Sequence, residues 1–435
     1  MRAAHGRGLR LVDPSIAREP VRQSSQDRYG IIPTSMHRRY SHIIGDPQVK
    51  LWGVTPRERL LRQIRQVADI SAIDDLSELP HDALVLLLRG EYVMEVRILR
   101  RLLGHPGTLL RCAADQSLAA AFVSAEHAVA ADALLRGDLA TVPEGLTVVD
   151  PVGLEAFDME LSRSAQPLLA PVSLSERGRL EDLLYGNAYK GITDLVTKWF
   201  WPRPAKRAVH WLADRRATPN MVTSVGMLLM LLAGLLFYQG HYALGLAAGW
   251  IMTFLDTVDG KLARVTAQSS RLGHFFDHGI DLLHPPFWYI LWGMSLTEFD
   301  TMLGLDRTEY YWIIVIGYVG GRLCEGLFGL LGSCSIFGWR PFDAYFRLFT
   351  ARRNTCMLLL TAAAVVGWPD WGFVAVALWT ALTTVVLTAR LLHGALARAT
   401  SGPLRSWLSD PEKAARDHPR AFRQFSVTRG AYAQG

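Results

Sequence analysis

Cysteine is scarce in this 435-residue chain and never occurs at the paired spacing of a metal site. The four cysteines, Cys112, Cys324, Cys334 and Cys356, lie far apart, and no CxxC pair is present. This distribution argues against a cysteine-based zinc site and a disulfide framework, so we expect small buried thiols. The first residues also lack an apolar segment, which argues against a cleavable signal peptide.

Charged residues make up only 20% of the chain, and they are unevenly distributed. Charges are scattered up to about residue 190, as in a soluble domain, whereas residues 219–393 are dominated by long apolar runs. The net charge of +6 therefore indicates basic loops beside a membrane. We expect membrane lipid, and no nucleic acid, among the partners.

Apolar runs of about 17–25 residues predict six transmembrane helices. They cover residues 221–239, 242–264, 272–296, 309–333, 354–368 and 370–393. Lys and Arg concentrate before the first run, in the turn at 264–271, between the fourth and fifth runs, and in the tail. The positive-inside rule then places both termini and the 264–271 turn in the cytoplasm of a multi-pass inner or plasma membrane protein.

Four segments follow from this pattern. Residues 1–185 form a soluble cytoplasmic α/β domain, 186–218 an interfacial amphipathic helix, 219–396 a six-helix transmembrane catalytic domain, and 397–435 a cytoplasmic tail. Apolar residues at helical spacing and tryptophans beside cations support the interfacial helix. A linker helix packed on the soluble domain is the alternative.

An acidic motif lies inside the apolar region, where each ionised side chain costs about 2.5–3.5 kcal/mol at the membrane centre. Its pattern is Asp256-x2-Asp259-Gly260-x2-Ala263-Arg264-x8-Gly273-x3-Asp277-x3-Asp281. Four carboxylates at this depth need compensation, and a divalent metal ion would provide it.

Residues three and four apart share a face of a helix, so the motif forms two stripes. One stripe ends the second predicted span and the other begins the third, and the short connection makes these helices antiparallel neighbours. An oxygen-only set of ligands suits a hard cation such as Mg²⁺ or Mn²⁺. Gly260, Ala263 and Gly273 leave space between the helices, and Arg264 offers a planar fork for phosphate.

The aspartates have two alternative interpretations. A single Asp at a helix end is usually paired with Arg or solvated, but four at this spacing are not typical of that role. A cation transporter also uses intramembrane carboxylates, although its acids would lie near the midplane of several helices. Acids gathered on one turn beside glycines and an arginine favour an enzyme.

The motif resembles, position for position, that of the CDP-alcohol phosphotransferase (CDP-alcohol phosphatidyltransferase) family. These metal-dependent membrane enzymes transfer the phosphoryl-alcohol part of a CDP-alcohol donor to an acceptor hydroxyl and release CMP. The resemblance covers about residues 189–395 and implies six membrane helices and a homodimer. It implies that Asp256, Asp259 and Asp277 bind metal, and that Asp281 is the general base and a further candidate ligand. The implied CDP-binding residues are Gly260, Ala263, Arg264 and Gly273.

The sequence leaves the donor and acceptor open. CDP-diacylglycerol would make the chain a phospholipid synthase, whereas a small donor such as CDP-inositol would suit inositol-phosphate-type synthesis. The resemblance implies basic residues beside the metal ions where the acceptor is an alcohol carrying phosphate, and the candidates are Arg322, Arg353 and Arg390. Snorkelling to the interface, or an Arg322–Glu325 ion pair, is the structural alternative.

The first 185 residues have an α/β pattern. Strands are predicted at 83–88, 109–112 and 146–149, and helices at 56–67, 92–103 and 124–136. Residues 50–59 resemble, loosely, a segment of the sugar nucleotidyltransferase family. A Gly-rich phosphate loop is suggested only faintly, by residues 5–10, and Arg89-Gly90-Glu91 stands where a metal-binding Asp would be expected. We expect a degenerate, inactive relative; an active cytidylyltransferase is the alternative.

Overall fold

The computed structural model describes residues 38–151, 157–158, 163–164, 167–268 and 271–426. Within these ranges, the side chains of 157–158, 163–164 and 271–282 are not described. The faint Gly-rich match at residues 5–10 therefore lies outside the described part. An α/β region precedes a helical region, which confirms the predicted division into an α/β part and an all-α part.

A mixed six-stranded sheet, in the order β2-β1-β3-β6-β5-β7, forms the centre of the α/β region. β6 runs antiparallel to its neighbours β3 and β5, whereas the other pairings are parallel. The four central residues of β3 are all buried and apolar, as expected for a strand covered on both faces. The strands are β1 (Arg39–Ile44), β2 (Ser71–Ala72), β3 (Leu84–Arg89), β5 (Thr108–Arg111), β6 (Leu118–Ser124) and β7 (Thr147–Val149).

Two small strand pairs and four helices complete this region. The pairs are β4 (Tyr92–Met94) with β10 (Leu169–Pro171), and β8 (Phe157–Asp158) with β9 (Arg163–Ser164), both antiparallel. The helices are α1 (Pro56–Val67), α2 (Val96–Leu102), α3 (Ala125–Arg136) and α4 (Arg177–Asn187), with a 3₁₀ turn at Leu76–Glu78.

The predicted helix at 92–103 is wrong over its first residues. Tyr92–Met94 is the strand β4, fully buried against β10, and helix α2 begins only at Val96. Long-range backbone pairing with residues 169–171 decided this conformation, and a local pattern cannot reveal such pairing. The helix at 56–67 has the predicted bounds, and the three predicted strands agree within one residue.

The junction between the two regions consists of a π-helical turn, Val196–Phe200, followed by α5 (Pro202–Asp214). Ala205 and Val209 are buried, whereas Trp199, Phe200 and Trp211 are more than half exposed. Arg215 stacks its guanidinium over the Trp211 ring at 4.0 Å. One face of this junction therefore packs inward while aromatic and cationic groups remain outside.

Six long helices lie at the six positions predicted to span the membrane. They are α6 (Pro219–Tyr238), α7 (Tyr242–Val265), α8 (Arg271–Met294), α9 (Arg307–Gly329), α11 (Arg353–Val366) and α12 (Pro369–Ser401). Between α9 and α11 lie a 3₁₀ turn, Ile336–Gly338, and α10 (Pro341–Phe349), and the chain continues into α13 (Pro411–Asp417) and α14 (Pro419–Phe425).

Three helices, α6, α9 and α12, are long and apolar enough to cross a membrane among the residues that the structure describes. Their outer faces carry large apolar side chains more than half exposed, including Leu228, Ile316 and Val385. Apolar surface of this kind is stable beside lipid rather than water. The chain is therefore a membrane protein by helix length and composition.

A shared hydrophobic core joins the α/β region to the helices, and we call it the joint core. Trp52 and Tyr185 from the α/β region pack there with Val209 of α5 and with α7. The α7 residues in the joint core are Val258, Leu262 and Val265. The helix that carries the first half of the acidic motif is therefore seated on the α/β region.

Candidate active site

The last turns of α7 have one closed face and one open face. Val258, Leu262 and Val265 are fully buried, whereas Asp256, Gly260 and Ala263 are partly accessible and Arg264 is exposed. Among the described residues, an added Cβ at Gly260 would meet the Arg264 guanidinium alone, at 3.4 Å. As far as these residues show, the predicted stripe is accessible to a ligand at the glycine.

Asp259 belongs to this stripe but is 5% exposed. Its Oδ2 accepts a hydrogen bond of 2.6 Å from the Thr223 hydroxyl on α6. Thr218 caps the N-terminus of α6 and Pro219 occupies its first turn. Together they fix where the helix begins and therefore the position of Thr223 along the helix axis. A buried carboxylate needs such partners because desolvation penalises its charge.

Asp256 forms an ion pair with Arg353, whose Nη2 contacts Asp256 Oδ2. Arg353 is the first residue of α11, and its side chain is only 12% exposed. One of the three predicted acceptor-binding arginines therefore lies directly against a predicted metal ligand.

Arg264 and Lys261 bind the backbone that leads out of α4. Lys261 Nζ donates to the Ala188 carbonyl at 2.9 Å and lies 3.5 Å from the centre of the Tyr189 ring. Arg264 Nη1 donates to the Gly260 carbonyl at 3.0 Å and reaches Ala188 O at 3.5 Å. The Arg264 fork is exposed and can turn towards a phosphate.

Gly273, Asp277 and Asp281 fall within α8, but their side chains lie outside the described residues. Among the side chains that are described, no group of three or more His, Cys, Asp or Glu could hold a metal ion. The metal-binding and general-base assignments of the four aspartates remain predictions.

A group of cations surrounds this corner, and we call it the cationic cluster: Lys190, Arg322, Arg347 and Arg352. Burial lowers the pKa of Lys190, and Arg264, Arg347 and Arg352 lower it further, although its side chain remains accessible. Burial also lowers the pKa of Arg347 to about 9, with Arg352 as its main charged neighbour. These interactions place the cluster beside Asp256 and Arg264.

Two carboxylates partly compensate the cationic cluster. Glu325 accepts hydrogen bonds from Arg322, at 2.5 Å, and from Arg352. The Arg322–Glu325 contact is the ion pair expected as the structural alternative for Arg322. Burial acts to raise the pKa of Asp194, but Arg347, the Thr197 backbone and Asn354 outweigh it and lower that pKa. Among the described side chains, the four cations of the cluster outnumber these two carboxylates.

Arg390, the third predicted acceptor residue, binds Asp343 of α10 through two hydrogen bonds, of 2.6 and 2.9 Å. Its guanidinium also stacks over Trp339 at 4.6 Å. These contacts tie α12 to α10. Of the histidines near the acids, His284 is buried with its ring 4.8 Å from Trp288, and the His278 side chain lies outside the described residues.

Sequence reasoning missed Lys190, Asp194 and Arg347. Lys190 and Asp194 lie in the short segment after α4, and Arg347 lies on the short helix α10, so no spacing along the motif helices marked them. Thr223 lies near the start of the first predicted span, but no spacing rule links it to the motif. The four cysteines are free and buried, as predicted.

Comparison with known proteins gives a family match within the helical region. Residues 216–324 match the model of the CDP-alcohol phosphatidyltransferase family, and this range contains the whole acidic motif. The resemblance of the motif to that family is therefore confirmed for this segment. The match also favours a phosphotransferase over a cation transporter. The likeness of the first 185 residues to nucleotidyltransferases stays a prediction.

Curated relatives match about a quarter of the chain. Cholinephosphotransferase 1 of Gallus gallus is 34% identical over 131 residues, which are 28% of this chain and 38% of that protein. Choline/ethanolaminephosphotransferase 1 of Arabidopsis thaliana is 35% identical, over 27% of this chain and 31% of its own. Archaetidylinositol phosphate synthase of Pyrococcus horikoshii is 36% identical, over 26% of this chain and 57% of that protein. The chain thus covers less than two thirds of each relative.

Proposed function

We propose that the chain is a membrane-embedded CDP-alcohol phosphotransferase of phospholipid or inositol-lipid biosynthesis. The observation that carries this proposal is the end of α7, where Asp256 and Asp259 lie among polar partners beside an open glycine face. The family match over residues 216–324 supports it independently. In this proposal all six long helices cross the membrane, the site and both termini face the cytoplasm, and two copies form a homodimer.

The residues present fit a hard divalent cation, Mg²⁺ or Mn²⁺. Asp259 is a buried carboxylate and Asp256 is half-buried, and the described groups around them offer oxygen and no thiolate. Asp256, Asp259, Asp277 and Asp281 would hold the metal. Such ions, when bound, neutralise a diphosphate and stabilise the departing CMP.

The remaining chemistry belongs to side chains of this chain. Gly260, Ala263 and Gly273 would admit the CDP moiety, and Arg264 would hold one of its phosphates through its planar fork. Asp281 would accept the proton of the acceptor hydroxyl. The oxygen of that hydroxyl would then form a bond to the phosphorus that carries the donor alcohol. The bond from that phosphorus to CMP breaks, and CMP leaves with the electron pair.

The cationic cluster favours an acceptor that carries a phosphate. Arg347 sits among other cations, with Asp194 and Glu325 as its acidic neighbours among the described residues. Lys190 lies beside several arginines, with Asp256 as its described acidic neighbour. A further anion would stabilise both cations. Arg353 lies between this cluster and the motif through its contact with Asp256. The name of the archaeal relative, archaetidylinositol phosphate synthase, agrees with a polyol phosphate as acceptor.

The test is CMP release by the purified protein in lipid nanodiscs, with CDP-diacylglycerol or small CDP-alcohols as donor. Polyols, polyol phosphates and lipid alcohols serve as acceptors, with and without Mg²⁺ or Mn²⁺. Asp281→Asn should abolish turnover while donor binding persists, and substantial remaining turnover would refute its role as base. Cation flux into liposomes without CMP release would favour a transporter instead.

The acceptor's phosphate is tested separately with Arg347→Gln. We expect the KM for a phosphorylated acceptor to rise at least 10-fold, since a hydrogen bond to a charged group contributes about 1.5–3 kcal/mol. Arg405→Gln, which removes an exposed arginine, is the matched control. Equal KM values in the two variants would exclude this contact.

The α/β region is proposed to be a degenerate nucleotidyltransferase that does not make the donor. Arg89 forms an ion pair with Glu91 at the end of β3. An active nucleotidyltransferase would be expected to have a metal-binding Asp at this place. Consumption of CTP by the full-length protein, in the presence of an alcohol phosphate and Mg²⁺, would overturn this view.

A further inference from the structure

One face of α1 binds the end of the motif helix, and we call it the α1 donor face: Arg59, Arg62 and Gln66. These side chains donate to the carbonyls of three successive residues. Arg59 Nη2 contacts Val265 O, Arg62 Nη1 donates to Thr266 O at 2.7 Å, and Gln66 Nε2 donates to Ala267 O at 2.8 Å. The α/β region therefore holds consecutive backbone groups next to the acidic motif.

These carbonyls lie at the C-terminus of α7, where an α-helix leaves its last carbonyls without partners in the helix. The helix ends in a Schellman arrangement, with Ala267 N donating to Arg264 O and Gln268 N to Ala263 O. Ala267 adopts a left-handed conformation, φ 53°, that normally favours glycine. Holding a residue with a side chain there costs about 1–2 kcal/mol, so the surroundings must enforce it.

Arg59 is a buried charge and therefore a specific contact. It is 2% exposed, and burial together with Arg62 lowers its pKa to about 10, so it is cationic at neutral pH. The negative end of the α7 dipole compensates it, with Glu181 as a further favourable neighbour. An apolar side chain would fill the same space without desolvating a charge. Packing alone therefore does not explain why an arginine occupies this position.

The position of these bonds connects them to the motif. Val265 is six residues beyond Asp259, about 9 Å along the helix, and α8 begins at Arg271. A shift at residues 265–267 therefore moves the start of α8 relative to the end of α7. The predicted ligands are divided between these two helices, so their mutual alignment depends on this short connection.

We propose that the α1 donor face is a positioning element for the phosphotransfer site: it fixes the end of α7 and, through the connection, the alignment of the two acidic stripes. This inference rests on the proposed function. It assigns the α/β region a role in the reaction that requires no activity of its own.

Arg62→Gln and Gln66→Leu, each in the full-length protein, test the proposal. Arg59→Gln and the conservative Arg59→Lys form a second pair, because Arg59 is the more buried side chain. Arg65→Gln is the matched control, since Arg65 is an exposed arginine on the same helix. Three quantities are measured: kcat for CMP release, the half-saturating Mg²⁺ concentration, and amide hydrogen exchange over residues 262–268 without metal.

We expect Arg62→Gln to lower kcat about 10-fold or more, because misplacing reacting groups by 1 Å can reduce a rate about 100-fold. The half-saturating Mg²⁺ concentration should rise, and exchange at residues 266–268 should accelerate. Arg59→Lys should recover part of what Arg59→Gln loses. A purely structural role would lower the melting temperature without changing the Mg²⁺ requirement of the folded protein.

CMP kinetics and Mg²⁺ dependence equal to those of Arg65→Gln would overturn the inference, even if stability fell. Unchanged exchange at residues 266–268 would do the same. If the wild-type protein releases no CMP from any donor, the proposed function fails instead. The exchange measurement still reports whether the α1 donor face fixes the end of α7, so the two failures are distinguishable.

Discussion

At the scale of single residues, Arg353 has the most consequential contact in the candidate site. It pairs with Asp256 while the neighbouring Arg352 turns to Glu325, so two adjacent arginines serve two different carboxylates. The N-terminus of α11 directs these side chains apart because the helix begins between them. Arg353 can therefore act on the phosphotransfer site while Arg352 belongs to the cationic cluster.

Replacing Arg353 by Gln should reduce kcat/KM for CMP release about 10- to 100-fold. The reason is the loss of one charge-assisted contact, which contributes about 1.5–3 kcal/mol. Arg353→Lys should recover little, since a point charge does not reproduce a planar fork. Arg398→Gln, at an exposed position on α12, is the control, and equal kinetics in the two glutamine variants would contradict the prediction.

Lys198 should make stability depend on pH. Burial lowers its pKa from 10.5 to about 8, and its ammonium donates to Gly191 O and lies 5.0 Å from the Phe425 ring. The folded protein thus releases this proton at lower pH than the unfolded chain, so the free energy of unfolding rises between about pH 8 and 10.5.

In Lys198→Met this contribution to the pH dependence should disappear. Denaturant unfolding of the detergent-solubilised protein from pH 7 to 10.5 measures it, with Lys413→Met as a control for loss of an exposed positive charge. Parallel pH profiles for the wild type and Lys198→Met would show that burial of this amine has no such effect.

The residues of the site were predictable only where spacing along one helix carried the signal. Asp256 and Asp259 sit three apart, and the same argument applies to the other two aspartates. Lys190 and Arg347 reach the site through tertiary packing of segments more than 150 residues apart, and nothing in their local sequence marks them. The direct pairing of Arg353 with Asp256 likewise required the packing of α11 on α7.

At the scale of elements, α9 and α12 show how glycine permits close packing of helices. An added Cβ at Gly317 would lie 3.0 Å from Thr380 Cγ2, and at Gly320 it would lie 3.2 Å from Thr384 Cγ2. Thr384 Oγ1 also donates to the Gly317 carbonyl at 2.6 Å, across the interface. Small residues at such a contact allow the backbones to approach within a membrane.

Gly317→Leu should therefore destabilise the helix pair by about 1–3 kcal/mol, the usual range for overpacking. Gly326→Leu, on the same helix, is the matched control, because no atom of the described residues lies within 4 Å of a Cβ there. Both variants gain similar helix propensity, so the difference in their melting temperatures in nanodiscs isolates packing. Equal melting temperatures would count against the close contact.

The elements themselves were predictable in proportion to their local signal. Long apolar runs identified all six long helices, and capped amphipathic α1 was located to the residue. The strands β1 and β6 were missed: the first alternates weakly, and the second, Leu118–Ser124, is rich in alanine, which is a good helix former. Their conformations are set by pairing with β3.

At the scale of the whole molecule, the joint core makes the α/β region and the motif helix one packing unit. Trp52 is 1% exposed, stacks on Tyr185, and donates from its ring to Glu181 O at 3.0 Å. The same core contains the buried face of α7. We therefore expect these parts to lose structure together rather than in separate steps.

Trp52→Ala should lower the free energy of unfolding by about 3–5 kcal/mol, as is usual for a buried large-to-small change. Hydrogen exchange should accelerate in both β3 and α7. Trp312→Ala, at a side chain 60% exposed on α9, is the control. Faster exchange confined to β3 would show that the two regions are independent.

The predicted topology follows from the charge of the loops, but the seating of the α/β region on α7 was beyond sequence reasoning. The contact joins Arg59 to Val265, 206 positions apart, and each partner has an ordinary local environment along the chain. Docking of two regions depends on the complementarity of folded surfaces, which a single sequence does not display.

The contact between the α/β region and α7 has a consequence for truncated versions of this protein. Deleting the first 185 residues would remove Trp52 and Tyr185 from Val258, Leu262 and Val265 and expose an apolar surface to water. Such a membrane fragment should aggregate in dilute buffer, and the separately expressed α/β region should aggregate for the same reason.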